Sequence, residues 1–239
     1  MTCEVPATPS SSAAFFDVDG TLVNSTIVHY YMYFRARRLP PVVRPLWRAA
    51  FTVKCLYYLA LDHLNRSRLN VIFYRSYAGL PAAEIKAQVD DCYHEVIAPR
   101  RFPQAATCIE AHRAAGRSVV LVTGSIDFIV RPLAERLGAH SVVAPALREC
   151  DGRFTGELDG APVGDEEKAR RLREFARRHS IDLAGSYAYG DSIADLPMLE
   201  CVGHPEVVNP DRALRAIAQA RRWPVHCWRL ATPEGPDGR

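Results

Sequence analysis

Four apolar residues, Ala13-Ala14-Phe15-Phe16, run straight into Asp17-Val18-Asp19-Gly20-Thr21, and no other feature of this 239-residue chain narrows its fold as far. A short apolar run ended by a polar break predicts a buried strand. Carboxylates two residues apart at its end face the same way if the strand geometry persists. Holding two like charges together there costs free energy unless something neutralises them. The pair therefore asks for a metal, a shared proton or a catalytic use. Gly20 lets the backbone turn sharply, or approach a ligand where a side chain would hinder it.

The same punctuation occurs twice more. Ser118-Val119-Val120-Leu121-Val122 is a β-branched run of the kind that forms buried parallel strands, and it ends in Thr123-Gly124-Ser125. A helical pattern follows from about Ile126 to Leu137. Later, Ser186-Tyr187-Ala188-Tyr189 leads into Gly190-Asp191-Ser192-Ile193-Ala194-Asp195-Leu196 and another helix. Between them, Glu166-Glu167-Lys168 opens an amphipathic helix reaching about His179. Strands alternating with helices predict βαβ units, hence an α/β fold on a parallel sheet. Ligands of such sheets sit beyond the carboxyl ends of the strands. Asp17, Asp19, Thr123, Asp191 and Asp195 all fall at that kind of position.

Phosphoryl transfer suits this set. A carboxylate such as Asp17 attacks phosphorus to give an aspartyl-phosphate, splitting one hard displacement into two easier ones. Asp19 protonates the leaving oxygen and then deprotonates the water that hydrolyses the intermediate. A magnesium ion (Mg2+) on Asp17 and Asp191 neutralises carboxylates and phosphate oxygens while keeping most of its waters. The Thr123 hydroxyl and the Gly124 amide donate to phosphate oxygens from a helix start. Lys168 adds a compact positive charge.

Taken in order, Asp17-Val18-Asp19-Gly20-Thr21, Thr123-Gly124-Ser125, Lys168 and Gly190-Asp191-Ser192-Ile193-Ala194-Asp195 resemble the four motifs of the haloacid dehalogenase (HAD) superfamily of phosphohydrolases. The resemblance runs from about Ala13 to Trp228. Within the superfamily the chain is similar to the phosphoserine-phosphatase-like branch, whose helical cap is inserted between the first and second motifs. It implies a Rossmann-like core from 13–25 and 99–230, a helical cap over 26–98, a disordered tail at 1–12 and a flexible one at 231–239. A β-hairpin before the lysine motif is also implied, and Val142 to Glu157, turning at Asp151-Gly152, fits it. By resemblance Asp17 is the nucleophile, Asp19 the acid/base, Thr123, Gly124 and Lys168 the phosphate-binding groups, and Asp17, Asp19 and Asp191 the metal site. Asp195 supports the metal or Lys168. Arg75, in Phe73-Tyr74-Arg75-Ser76-Tyr77, is the cap's candidate for a substrate anion.

The chain departs from that branch in two places. Thr26 stands where phosphoserine phosphatases usually carry a glutamate for the substrate's ammonium, and Ala194 where they typically carry an asparagine. A neutral hydroxyl does not offset a buried ammonium as a carboxylate does, so phosphoserine is disfavoured as the substrate. The cap is strongly basic: Arg35, Arg37, Arg38, Arg44, Arg48, Lys54, Arg66, Arg68 and Arg75 face Asp62 alone between Ile27 and Leu80, among many aromatics. Two readings stand. The aromatics form the cap's own core and the arginines its solvated face, or the mixture suits an anionic membrane surface and an amphiphilic or lipid phosphate.

Other classes fit less. The net charge of +3 is too small to argue for nucleic acid. The arginines after Lys168 (Arg170, Arg171, Arg173, Arg177 and Arg178) read as a solvated face. Seven cysteines, odd in number and without a C-x-x-C, favour reduced thiols in a cytoplasm and provide no zinc site. No run is apolar enough to span a bilayer, because Arg44, Arg48 and Lys54 interrupt the best candidate. Dehalogenation at carbon has no need of Asp19 or a metal. A non-catalytic binding or regulatory module on the same fold is the alternative reading, and its signature would be loss of the nucleophile or of Lys168. The expectation is thus a cytoplasmic phosphatase of a small-molecule phosphate monoester, with peripheral membrane contact open.

Overall fold

A computed structural model describes residues 11–62 and 73–231. Residues 1–10 and 232–239 of the tails expected at 1–12 and 231–239, and Arg66 and Arg68 of the basic stretch, lie outside the described residues.

Six strands form one sheet: β1 (Ala13–Phe16), β2 (Ser118–Val122), β3 (Ser141–Val143), β6 (Tyr187–Gly190), β7 (His204–Val208) and β8 (Val225–His226), in the order β3-β2-β1-β6-β7-β8. Every pairing in it is parallel. β1 is central, with Phe16 opposite Leu121 on one side and Tyr189 on the other. Side chains alternate across a strand, so β1 feeds two cores. Ala14 and Phe16 join one with Val119, Leu121 and Tyr189. Ala13 and Phe15 join the other with Val120, Val122, Ala188 and Leu172. Burial on both faces explains why these strands are nearly all apolar.

Helices cover both faces. Pro103–Ala114 and Asp127–Leu137 pack on the first, and Asp165–Arg178 and Arg212–Arg221 on the second. The helix Asp127–Leu137 ends where Gly138 turns left-handed at φ 66°. Asp165–Arg178 carries Asp165, Glu166 and Glu167 in its first turn and Arg177 and Arg178 in its last, the distribution its dipole favours.

An antiparallel hairpin, β4 (Leu147–Cys150) and β5 (Arg153–Leu158), precedes that helix and turns at Asp151-Gly152, with φ 48° and 71°. Two consecutive left-handed residues give the tight turn that Asp-Gly announces. The hairpin starts later than its expected Val142: Val142 pairs with Leu121 in the main sheet.

Between β1 and β2 the chain is helical. It contains α1 (Ile27–Arg37), α2 (Arg44–Asp62) and shorter turns from Arg75 to Arg100. Aromatic rings hold this insertion together. Tyr31 meets Phe51 at 5.3 Å, Phe73 at 5.5 Å and Tyr77 at 5.1 Å, and Trp47 stacks on Phe51 at 5.0 Å. Each such pair contributes about 0.5–1.5 kcal/mol beyond area burial. Several of its arginines pair with its own acids: Arg37 with Asp91 and Glu95, and Arg38 with Glu84.

Candidate active site

The chain leaves β1 for β2 and β3 on one side and returns to β6, β7 and β8 on the other, so its order reverses beside β1. Adjacent loops part there and open a crevice at the carboxyl ends of the strands. Asp17 directly follows β1, Thr123 directly follows β2, and Asp191 directly follows β6.

A buried ion-pair bridge crosses this rim. Lys168, on the first turn of Asp165–Arg178, places its Nζ 2.5 Å from Asp17 Oδ1 and 2.6 Å from Asp195 Oδ1. All three residues are buried. Burial works against the lysine's charge, but Asp17 and Asp195 outweigh it and hold its pKa above the ordinary range. Burial pushes the Asp17 carboxyl up to about 7, with the Lys168 charge pulling against it. Asp195 is fixed by its own turn: its Oδ2 accepts from the amides of Asp191 and Ser192 at 3.2 Å each and from Ser192 Oγ at 3.1 Å.

Asp17, Asp191 and Asp195 each offer a carboxylate oxygen within 4.8 Å of the others. Two constraints place Asp191. Thr21 Oγ1 donates to its Oδ1 at 3.2 Å, and Gly20 lies against it. Gly20 has φ 96°, and a Cβ there would fall 2.2 Å from Asp191 Oδ2. Glycine is thus required twice over, by backbone conformation and by space.

Asp19, also expected at the metal, is not one of these three side chains. Its Oδ1 accepts from Tyr30 Oη at 2.7 Å and from Ser25 Oγ at 3.1 Å, and its Oδ2 accepts from Ser125 Oγ. Burial raises its pKa, and the hydroxyls of Ser125, Tyr30 and Ser25 draw it back. Thr123 is buried, with its Oγ1 accepting from the Ser125 amide at 3.0 Å. The Gly124 carbonyl accepts from Tyr74 Oη at 2.5 Å. Arg75 is not among the residues brought together: its side chain is exposed on the Arg75–Tyr77 turn. That turn packs on the hairpin, where a Cβ on Gly156 would approach Arg75 Cα to 2.9 Å.

Tyr30, Tyr74, Ser25 and Ser125 were not singled out from the sequence. The available signal was that Tyr30 and Tyr74 are tyrosines, whose buried hydroxyl needs a partner that phenylalanine does not.

A profile of the haloacid dehalogenase-like hydrolases matches residues 14–200. The chain is 37% identical over 228 residues to a probable phosphatase of Mycobacterium tuberculosis, covering 92% of this chain and 78% of that one. It is 32% identical over 233 residues to a phosphoserine phosphatase of the same organism, covering 95% and 74%. Among solved structures, a substrate-bound phosphoserine phosphatase superposes with a TM-score of 0.65 at 21% identity, covering 92% and 93%, a likeness of fold.

Proposed function

The chain belongs to the haloacid dehalogenase-like hydrolase family and is a phosphatase of phosphoric monoesters, and we propose that it works with magnesium through a phosphoryl group carried on Asp17. The observation that carries this reading is the buried Asp17–Lys168–Asp195 bridge at the sheet's carboxyl rim with Asp191 beside it.

Hard carboxylate oxygens in a cluster, two of them buried, fit Mg2+ better than a softer metal. Asp17 and Asp191 would hold it. Asp195 completes the trio, and its bonds to Lys168 and its own turn make it a support. Bound there, the cation would neutralise phosphate oxygens and keep Asp17 ionised.

The chain's own residues perform the displacement. An Asp17 oxygen attacks phosphorus as the bond to the alcohol oxygen breaks, and Asp19 gives that oxygen its proton. Asp19 then takes a proton from the water that attacks phosphorus, which frees inorganic phosphate and restores Asp17. Lys168 offsets the charge on the transferring oxygens in a desolvated site. The Thr123 hydroxyl and the Gly124 amide donate to them.

We place the substrate among amphiphilic organic phosphates rather than phosphoserine. Relatives carry the phosphoserine name, but Thr26 supplies no carboxylate here, and its hydroxyl is engaged with His29 Nδ1 at 3.0 Å. An assay of 4-nitrophenyl phosphate, phosphoserine and a lysophospholipid phosphate tests both parts. Turnover is expected with magnesium, to disappear with chelator and to return on adding the ion. Hydrolysis indifferent to chelator would contradict the metal, and preference for phosphoserine would contradict the substrate class.

The insertion supports peripheral contact with an anionic membrane. While Trp47 and Phe51 pack inward, Val42, Leu46 and Val53 stand 90%, 75% and 67% exposed along one side of α2 and the turn before it, and Arg48 is exposed on the same helix. Each cation near an anionic leaflet contributes about 1 kcal/mol. Among the described residues, no helix is long and apolar enough to cross a membrane. Sedimentation with anionic liposomes at low salt is expected to carry the protein down, and high salt to release it. A protein left in the supernatant at low salt removes this contact.

A further inference from the structure

Two buried phenols join the insertion to the reacting end of the sheet. Tyr30, on the first turn of α1, is 1% exposed and donates to Asp19 Oδ1 at 2.7 Å. Its hydroxyl also touches that of Ser25, which reaches the same oxygen at 3.1 Å. Ser125, from the loop after β2, holds the other oxygen. Tyr74 donates to the Gly124 carbonyl at 2.5 Å from a second part of the insertion.

Three hydroxyls from two distant stretches of chain thus fix both oxygens of one carboxylate, and with them its plane. A packing role needs only the ring of Tyr30, which phenylalanine would supply. The hydroxyl adds a fixed acceptor geometry and a donor for the charge left on Asp19 once its proton has gone. Proton transfer to a departing oxygen depends steeply on such alignment.

We propose that Tyr30 is a positioning residue: from the inserted helix it orients Asp19 toward the leaving-group oxygen, so that the insertion takes part in the chemical step. The inference rests on the phosphatase reading above, with Asp19 as the acid. In the step concerned, the P–O bond to the alcohol breaks as the bond from Asp17 forms, and the Asp19 proton passes to the alcohol oxygen. An alkoxide needs that proton far more than a nitrophenolate does.

The test is kcat/KM of Tyr30→Phe, with magnesium, on 4-nitrophenyl phosphate, phenyl phosphate and propyl phosphate. This ratio covers events only up to alcohol departure, so the later hydrolysis does not enter. Loss of the hydroxyl is expected to leave 4-nitrophenyl phosphate within about twofold and to slow propyl phosphate by about 30-fold, with phenyl phosphate between, on the scale of general-acid effects. Ser25→Ala, which removes a small hydroxyl from the same oxygen, is expected to steepen the dependence in the same direction and carries the test if Tyr30→Phe does not fold. Equal slowing of all three esters, or of none, overturns the proposal. Failure of the wild-type protein on all three overturns the phosphatase reading and this inference with it.

Discussion

Lys168→Met is expected to lose about 3–5 kcal/mol of stability at neutral pH and all measurable turnover, the combination that removing one partner of a buried ionic cluster produces. Methionine keeps the apolar stem and deletes the ammonium that lies 2.5 Å from Asp17 and 2.6 Å from Asp195. Two buried carboxylates then face each other without a counter-charge.

The loss has a predictable pH dependence. Asp17 already has a folded-state pKa of about 7, above its ordinary 3.8. A carboxyl raised in this way binds more protons folded than unfolded, so its contribution is present below about 4 and is lost as pH rises through about 7. Without Lys168 the folded-state value rises further. The gap between wild type and variant should therefore stay level below about 7, where Asp17 is protonated in both, and widen as pH rises above it, in urea unfolding with chelator present. A gap below about 1 kcal/mol that ignores pH would show that the bridge carries little of the fold.

Asp17→Asn separates chemistry from structure. The amide matches the carboxyl in shape, and Lys168 retains Asp195 as its partner. Stability is expected to change by no more than about 1–2 kcal/mol, while turnover of 4-nitrophenyl phosphate falls by about 10^4-fold or more, since amides do not form the acyl phosphate. Steady-state rates and a thermal melt on the same preparation check both. Activity within about tenfold of wild type would remove Asp17 from the nucleophile's place.

Much of this architecture was readable from the chain. β1, β2 and β6 are apolar runs stopped by polar residues, and being buried on both faces they cannot afford polar alternation. The last two strands were not readable. His204–Val208 is exposed at its start, and Val225–His226 contains only two residues, so neither shows a periodic pattern. The expected hairpin took in Val142 and Val143 because only the register of Ser141–Val143 against Val120–Val122 assigns them to the main sheet.

For the site, the meeting of Asp17, Asp191 and Asp195 followed from their common position after parallel strands, which fixes where a chain end emerges. The hydroxyls around Asp19 did not follow, because Tyr30 lies within the apolar core and Tyr74 packs on Phe73 and Tyr77. Their polar ends are aimed by tertiary structure alone.

Acid quenching of the wild-type enzyme within its first turnover of a radiolabelled phosphate ester, followed by peptide mapping, addresses the phosphorylated carboxylate itself. Label is expected on the peptide containing Asp17, released by hydroxylamine as an acyl phosphate is, and absent from Asp17→Asn. Label on another residue, or sustained turnover with no labelled protein at any quench time, would contradict the account.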